Sequence, residues 1–330
     1  MSVEREATKG AKITADEVKR IGMRKRLLRF QTVRVIVQVL LFFLFNAVFL
    51  GLGPWPILLP ISGLLGVPSK TVGEALGSLQ YMLYLLIPPW LALASIFIAC
   101  VLVGRAFCAW ACPFGFVQDI FEVMRKRHAA VAPGTHNQMI RLKYVVLAAT
   151  LLISGVLALS AAAGVGKGYQ QALGVFAIAP FNAISPADTL FAVIPRTVLD
   201  VRHAIPLLSE PGADAAGLMI SSLSSTEALF WARLIILGLT VALILYVPRG
   251  WCRYFCPQGA FSAVLMRFSF LGLRRDPVRC GKDCRDCVKV CPMLVPILDQ
   301  PWEKFTHPEC IMCLKCADAC STAAIKPKFP

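Results

Sequence analysis

Thirteen cysteines are spread unevenly over 330 residues, and twelve of them fall into four short groups. CGKDCRDCVKVCP carries Cys280, Cys284, Cys287 and Cys291, and CIMCLKCADACS carries Cys310, Cys313, Cys316 and Cys320. The other two groups are pairs: GRAFCAWACPFGF holds Cys108 and Cys112, and PRGWCRYFCPQGA holds Cys252 and Cys256. Thiolates are soft ligands for iron–sulfur clusters and zinc, and they are also the nucleophiles of disulfide exchange. Spacing bears on the choice. Three thiols on one tight turn can reach three irons of a cubane, with the fourth iron reached from the paired group. Zinc is the alternative for paired cysteine groups.

The two pairs are an internal repeat. Each reads Arg, one residue, aromatic, Cys, one residue, aromatic, one residue, Cys, Pro, one residue, Gly. If the helices before them end side by side, Cys108, Cys112, Cys252 and Cys256 supply four thiolates for one further Fe–S cluster or another thiophilic metal. Arg105, Arg249 and Arg253 nearby favour the thiolate form and offset a cluster's negative charge. A dithiol redox pair and a structural turn with small buried thiols are the alternatives. Cys100 has no partner at motif spacing and reads as packing.

The tail resembles the bacterial ferredoxin fold with two [4Fe–4S] clusters, whose run is CxxCxxCxxxCP and whose fourth cysteine ligates the other cluster. Carried over, cluster I takes Cys280, Cys284, Cys287 and Cys320, and cluster II takes Cys310, Cys313, Cys316 and Cys291. Two departures stand out. Three residues separate Cys280 from Cys284 where two are usual, and Ser321 replaces the second proline.

The elements that position these groups are mainly membrane helices. The chain is 57% hydrophobic and 16% charged, with a mean hydropathy of +0.66, too apolar for an ordinary soluble domain. Four stretches, about 32–52, 81–103, 144–164 and 228–247, approach the ~20 residues a helix needs to cross a bilayer. Arg34 can snorkel from the first, Arg233 must reach toward the head groups from the fourth, and Pro88 and Pro89 predict a kink in the second. The apolar stretches 55–67 and 172–194 are interrupted by Pro56, Pro60, Pro180, Pro186 and Asp188, and read as re-entrant or interfacial segments.

Charge sets the orientation. Residues 1–34 hold ten Lys or Arg against four acids and 104–143 hold six more, whereas 53–80 and 165–227 hold four in total. Both termini and all four cysteine groups are therefore expected on the cytoplasmic side, where a reducing compartment suits metal-binding thiols better than disulfides. The net charge of +15 is then a topology signal and an attraction to anionic lipid, not a nucleic-acid footprint. No A-x-A-like site follows the first apolar run, so an uncleaved anchor is expected, preceded by a basic helix that opens at Thr14 on the inner membrane face. Residues 1–31 form this basic segment, 32–247 the transmembrane domain with its first CxxxCP site at 108–113 and an outer loop at 165–227, 248–275 the second CxxxCP site and a connector, and 276–330 the ferredoxin-like domain. The fold class is an α-helical membrane protein of four spans with a small cytoplasmic α+β domain.

Four histidines, His128, His136, His203 and His307, lie outside the expected spans and read as polar surface residues, so paired ligands for a membrane haem are missing. CxxCH, Walker A and GxGxxG are absent. Phe107, Trp110, Trp251 and Tyr254 read as interface anchors.

The spans, both CxxxCP sites and the tail together resemble the membrane-bound polyferredoxins typified by the NapH-type subunit of periplasmic nitrate reductase systems, with relatives in methylamine utilisation and nitrous-oxide regulation. The resemblance implies a bacterial cytoplasmic-membrane protein with two [4Fe–4S] clusters that relays electrons between quinone or quinol and a ferredoxin-type or cytochrome c-type partner. It also implies service to a periplasmic reductase or dehydrogenase, as part of a quinol dehydrogenase. The alternative is an assembly factor whose electrons keep a metal site or thiol reduced during maturation of a periplasmic enzyme.

Overall fold

A computed structural model describes residues 29–45, 55, 57–62, 72–124, 131, 133–165, 167–173, 175–195, 197, 228–281 and 284–329. The basic N-terminal segment, His128, His203 and most of the expected outer loop lie outside the described residues. Five helices of ten or more residues occupy the apolar stretches: Phe30–Phe45, Ala75–Tyr84, Trp90–Val103, Pro133–Ala162 and Ala228–Tyr246. Two of them, Pro133–Ala162 and Ala228–Tyr246, are long and apolar enough to cross a membrane; Phe30–Phe45 and Trp90–Val103 are shorter.

The second expected span is thus divided rather than kinked. Pro88 and Pro89 lack backbone donors and push the residues before them out of the helical region. The chain leaves the helix after Tyr84, passes Leu86 at φ 57° and restarts at Trp90. The resulting 14-residue helix is about 21 Å long, short of a hydrocarbon core of about 30 Å. The third stretch instead begins earlier than expected, at Pro133, where a first-turn proline loses no helical bond.

Outward faces are apolar and inward faces polar. On the long helices Leu152, Leu159, Ile235 and Leu239 are exposed, while Thr150, Ser154 and Thr240 are buried. The two arginines expected to reach outward point inward. Arg233 donates from Nε to the Ala183 carbonyl at 2.7 Å and pairs with Asp188 at 3.7 Å, anchoring the interrupted 175–195 segment. Arg34 is buried 3.4 Å from Asp119. An arginine in an apolar setting gains more from a buried acceptor within reach than from a stretched path to water.

The tail is built on an antiparallel pair, Gly272–Arg275 with Ile325–Lys328, so the last residues of the connector belong to it. Its two short helices, Asp286–Lys289 and Lys315–Ala319, each follow one cysteine turn. The tail is not a tethered module. Met293, Val295, Phe305, Cys313 and Cys316 share one hydrophobic core with Cys108, Ala109 and Met266 of the helical part.

Candidate metal centres

Each CxxxCP repeat folds into the same short unit. Helices Ala106–Trp110 and Gly250–Tyr254 carry the first cysteine, and helices Pro113–Met124 and Pro257–Leu265 begin directly after the second. The motif chemistry explains the local geometry. Cys256 is the N-cap, its Sγ accepting the Gly259 N–H at 3.3 Å, and Pro257 occupies the first turn without forfeiting a donor. Glycine at the third position lets the two turns approach. A Cβ at Gly115 would stand 2.5 Å from the Cys108 carbonyl oxygen, whereas one at Gly259 would stand 3.1 Å from Arg105 Nη2 and 3.5 Å from the Cys252 carbonyl. Gly115→Ala is therefore expected to cut metal content and lower Tm far more than Gly259→Ala, because a backbone oxygen cannot retreat as a side-chain tip can. Iron per protein and a detergent melting curve on both variants read this out.

The two units meet. Cys108, Cys112, Cys252 and Cys256 ring one enclosed pocket, walled by Phe114, Trp251 and Ser62. Gln118 donates to Cys252 Sγ at 3.0 Å, and the Ser62 hydroxyl lies 3.6 Å from Cys256 Sγ. Trp251 stacks between Phe181 and Phe255, at 6.2 and 5.8 Å, and Tyr254 is fully buried. These aromatics line the interior instead of anchoring an interface. Trp110 donates to the Met312 carbonyl at 2.9 Å, fastening the first repeat to a tail turn.

In the tail, Cys291, Cys310, Cys313 and Cys316 line a second pocket with Leu273, Val295 and Phe305. Burial raises the Cys287 thiol, and the charges of Cys280, Cys284 and Cys320 add to that shift. Cys284 is exposed, placing that group at the outer edge. All thirteen thiols are free. Among the described residues no three His, Cys, Asp or Glu side chains are gathered as a single-ion site. Thiolates on zinc stand about 3.8 Å apart for a bond of about 2.3 Å, and a cubane spreads its four ligands wider. Four soft donors around each dry, enclosed space fit a cluster.

Burial pushes the Cys256 and Cys310 thiols up to about 12, and raises Cys112, Cys316 and Cys291 as well. At Cys252 burial outweighs the opposing pull of Arg249. Exchange-active thiols show the opposite shift, and a metal bound at these thiols would displace their protons.

The arginines are committed elsewhere. Arg249 crosses to the first repeat, donating to the Cys108 carbonyl at 2.8 Å and to both Asp119 oxygens at 2.9 and 2.6 Å. Asp119 also accepts from Gln38 at 2.9 Å. Although burial pulls its carboxyl up, Arg249 and Arg34 hold it below the usual range. Arg105, fully buried, donates to the Pro308 carbonyl and to Glu309, which also takes Lys143. There too the two cations outweigh burial and keep the carboxyl low. Arg253 instead caps the Pro292 carbonyl beside the second pocket. Two cations face one carboxylate in each group, leaving positive charge in excess beside thiolates that need it.

Sequence inspection missed Gln38, Gln118, Asp119, Lys143 and Glu309. The legible signal was Arg34 and Gln38 one helical turn apart in an otherwise apolar run, and Gln118-Asp119 between aromatic neighbours. His136 is buried, with Nδ1 3.0 Å from the Tyr254 hydroxyl, and His307 Nδ1 accepts the Glu309 N–H at 3.1 Å. Both serve structure, and for His136 the surface expectation fails because its helix begins earlier than hydropathy indicates.

A mostly helical chain with paired cysteine turns and a two-stranded cysteine-rich tail defines a ferredoxin-type arrangement of iron–sulfur-binding segments. A family model described as a 4Fe-4S binding domain matches residues 86–129 and again 229–275, one match per CxxxCP unit. The two matched segments are similar to this 4Fe-4S binding family, and the chain is also similar to the proteins NapH and MauN. It is 28% identical over 239 residues to an uncharacterized protein of Methanocaldococcus jannaschii, covering 71% of this chain and 76% of that one. The methylamine utilization ferredoxin-type protein MauN of Methylobacillus flagellatus is 26% identical over 68% of this chain and 62% of its own, less than two thirds of its length. The ferredoxin-type protein NapH of Escherichia coli is 36% identical over 94 residues, 27% of this chain and 32% of its own. No solved structure matches the chain.

Proposed function

We propose that the chain is a membrane-bound iron–sulfur relay that carries electrons between the quinone pool and a partner redox system, with both termini on the cytoplasmic side. One observation carries this. A single hydrophobic core contains Cys108 from the repeat pocket, Cys313 and Cys316 from the second pocket, and Cys287 from the outer group, so three thiol sets follow one another from the buried helices to the exposed edge.

Cysteines 280, 284, 287 and 320 hold one [4Fe–4S] cluster, cysteines 291, 310, 313 and 316 a second, and cysteines 108, 112, 252 and 256 a third. Bound there, the clusters supply one-electron chemistry, and the chain tunes it through ligand identity, N–H donors to sulfur, burial and local charge. Backbone N–H groups of Gly259, Val295 and Ala324 reach Cys256, Cys291 and Cys320 at 3.3, 3.4 and 3.3 Å, one for each thiol set. Each donor favours the more negative, reduced state. The aromatic walls keep water out of the inner pocket, and the exposed Cys284 edge offers the contact for a partner.

Anaerobic purification with iron and sulfide counts tests the assignment. About 12 irons are expected, four per cubane, with EPR signals that titrate in three steps. Zinc with negligible iron would refute it, and about eight irons would remove the third site alone.

A further inference from the structure

A groove of about 640 Å³ separates the Phe30–Phe45 helix from the Pro113–Met124 helix, closed at one end by Lys315 of the tail. This is the size range of small-ligand sites. Its two walls differ from its floor. Val35, Ile120, Val123 and Met124 form an apolar rim and are all exposed, Val123 by 82%. The floor is polar and dry: Arg34 and Gln38 are 3% and 2% exposed.

The floor is also unsatisfied. Arg34 Nε and Nη1 and Gln38 Oε1 have no hydrogen-bond partner among the described residues, the Arg34 approach to Asp119 being an ion pair at 3.4 Å. Buried polar groups are normally paired, and orphaned ones point to something that completes them. The two donors are met by the carbonyl oxygens of a planar head group, and the one acceptor by a hydroxyl of its reduced form. The charges select further. Arg34 and Lys315 line the groove with Asp119 and Glu122, and Arg249 pairs with Asp119 from behind the floor, so most of the groove's charge is already paired. A neutral, planar, oxygen-bearing head on an apolar chain fits: the head beneath, the chain along the exposed rim.

The groove also lies between two thiol sites. Gln38 donates to the Ala109 carbonyl, next to Cys108, at 2.7 Å, and Gln31 donates to the Cys313 carbonyl at 2.7 Å. We infer that this groove binds the head group of a membrane quinone or quinol, with Arg34 and Gln38 as its polar contacts. The inference rests on the relay proposed above for the choice of a redox-active head.

The test is photoaffinity labelling of the full chain, with clusters loaded, by a short-chain azidobenzoquinone, followed by peptide mapping. Labelled peptides are expected from residues 30–45 and 113–124, with labelling suppressed by excess unlabelled short-chain benzoquinone or naphthoquinone. Arg34→Leu should reduce labelling about tenfold, the loss of a charge-assisted hydrogen bond. Because Arg34 also pairs with Asp119, Ile120→Trp is the second variant: it fills the groove from its exposed rim and should reduce labelling equally while iron content and EPR signals stay unchanged. Labelling elsewhere, labelling that survives Ile120→Trp, or suppression by anionic phospholipid but not by unlabelled quinone would overturn the site. Loss of the cluster signals in the unmodified chain would instead refute the relay.

Discussion

Replacing Cys108 with alanine should remove about four of about 12 irons, and replacing Cys108 and Cys252 together should remove no more. Each repeat supplies two of the four thiols that ring one pocket, so the first substitution already leaves an incomplete ligand set and the second acts on a site that is empty. Residues sharing one site couple in this way, whereas independent sites add. The tail clusters should persist through both variants, because their eight cysteines are untouched. EPR should then lose one of three signals, and electron delivery from quinol should fall by orders of magnitude while artificial donors still reduce the tail. Two independent dithiols predict the other pattern, with the double variant worse than either single one. Normal iron content in all four single variants would make the motif a structural turn.

Glu309→Ala should be among the most destabilising single changes in the chain. It leaves Arg105 and Lys143, both with fully buried side chains, facing each other without a counter-charge. Breaking a buried ion pair by removing one partner costs about 3–5 kcal/mol. The contact also ties the tail to two helices, so the loss should appear as a lower Tm and as tail clusters that are lost early on warming. Arg279→Ala, which removes an exposed pair with Asp276, should cost under about 1 kcal/mol. A Glu309→Ala protein that melts with the wild type would show that the apolar core alone holds the tail in place.

The cysteine groups and the repeat were legible because ligand spacing and the Cys-Pro-x-Gly turn are local properties. Cys256 caps its helix and Gly115 admits the Cys108 carbonyl for reasons contained in a dozen residues. Long-range pairings were not legible. Arg34 and Arg233 look like snorkelling residues until their partners, Asp119 and Asp188, arrive from distant segments. Hydropathy also could not distinguish a kinked span from a divided one, since Pro88 and Pro89 are compatible with both; what settles the break is that Leu86 turns into the left-handed region. The groove floor stayed hidden for a related reason: Gln38 reads as one tolerated polar residue until Asp119 and Ala109 are seen beside it.

The reach of Arg105 to Glu309 spans 204 positions in the chain, and this has a consequence for the order of biosynthesis. At about 5–20 residues per second, Arg105 leaves the ribosome roughly 10–40 s before the carboxylate that neutralises it. Arg249, which braces the first repeat, follows Cys108 by 141 positions. The inner pocket therefore cannot close during synthesis of the first repeat, and a cluster bound there would have to be inserted late, into a nearly finished chain. A donor delivering such a cluster would meet a folded entrance, not a nascent loop.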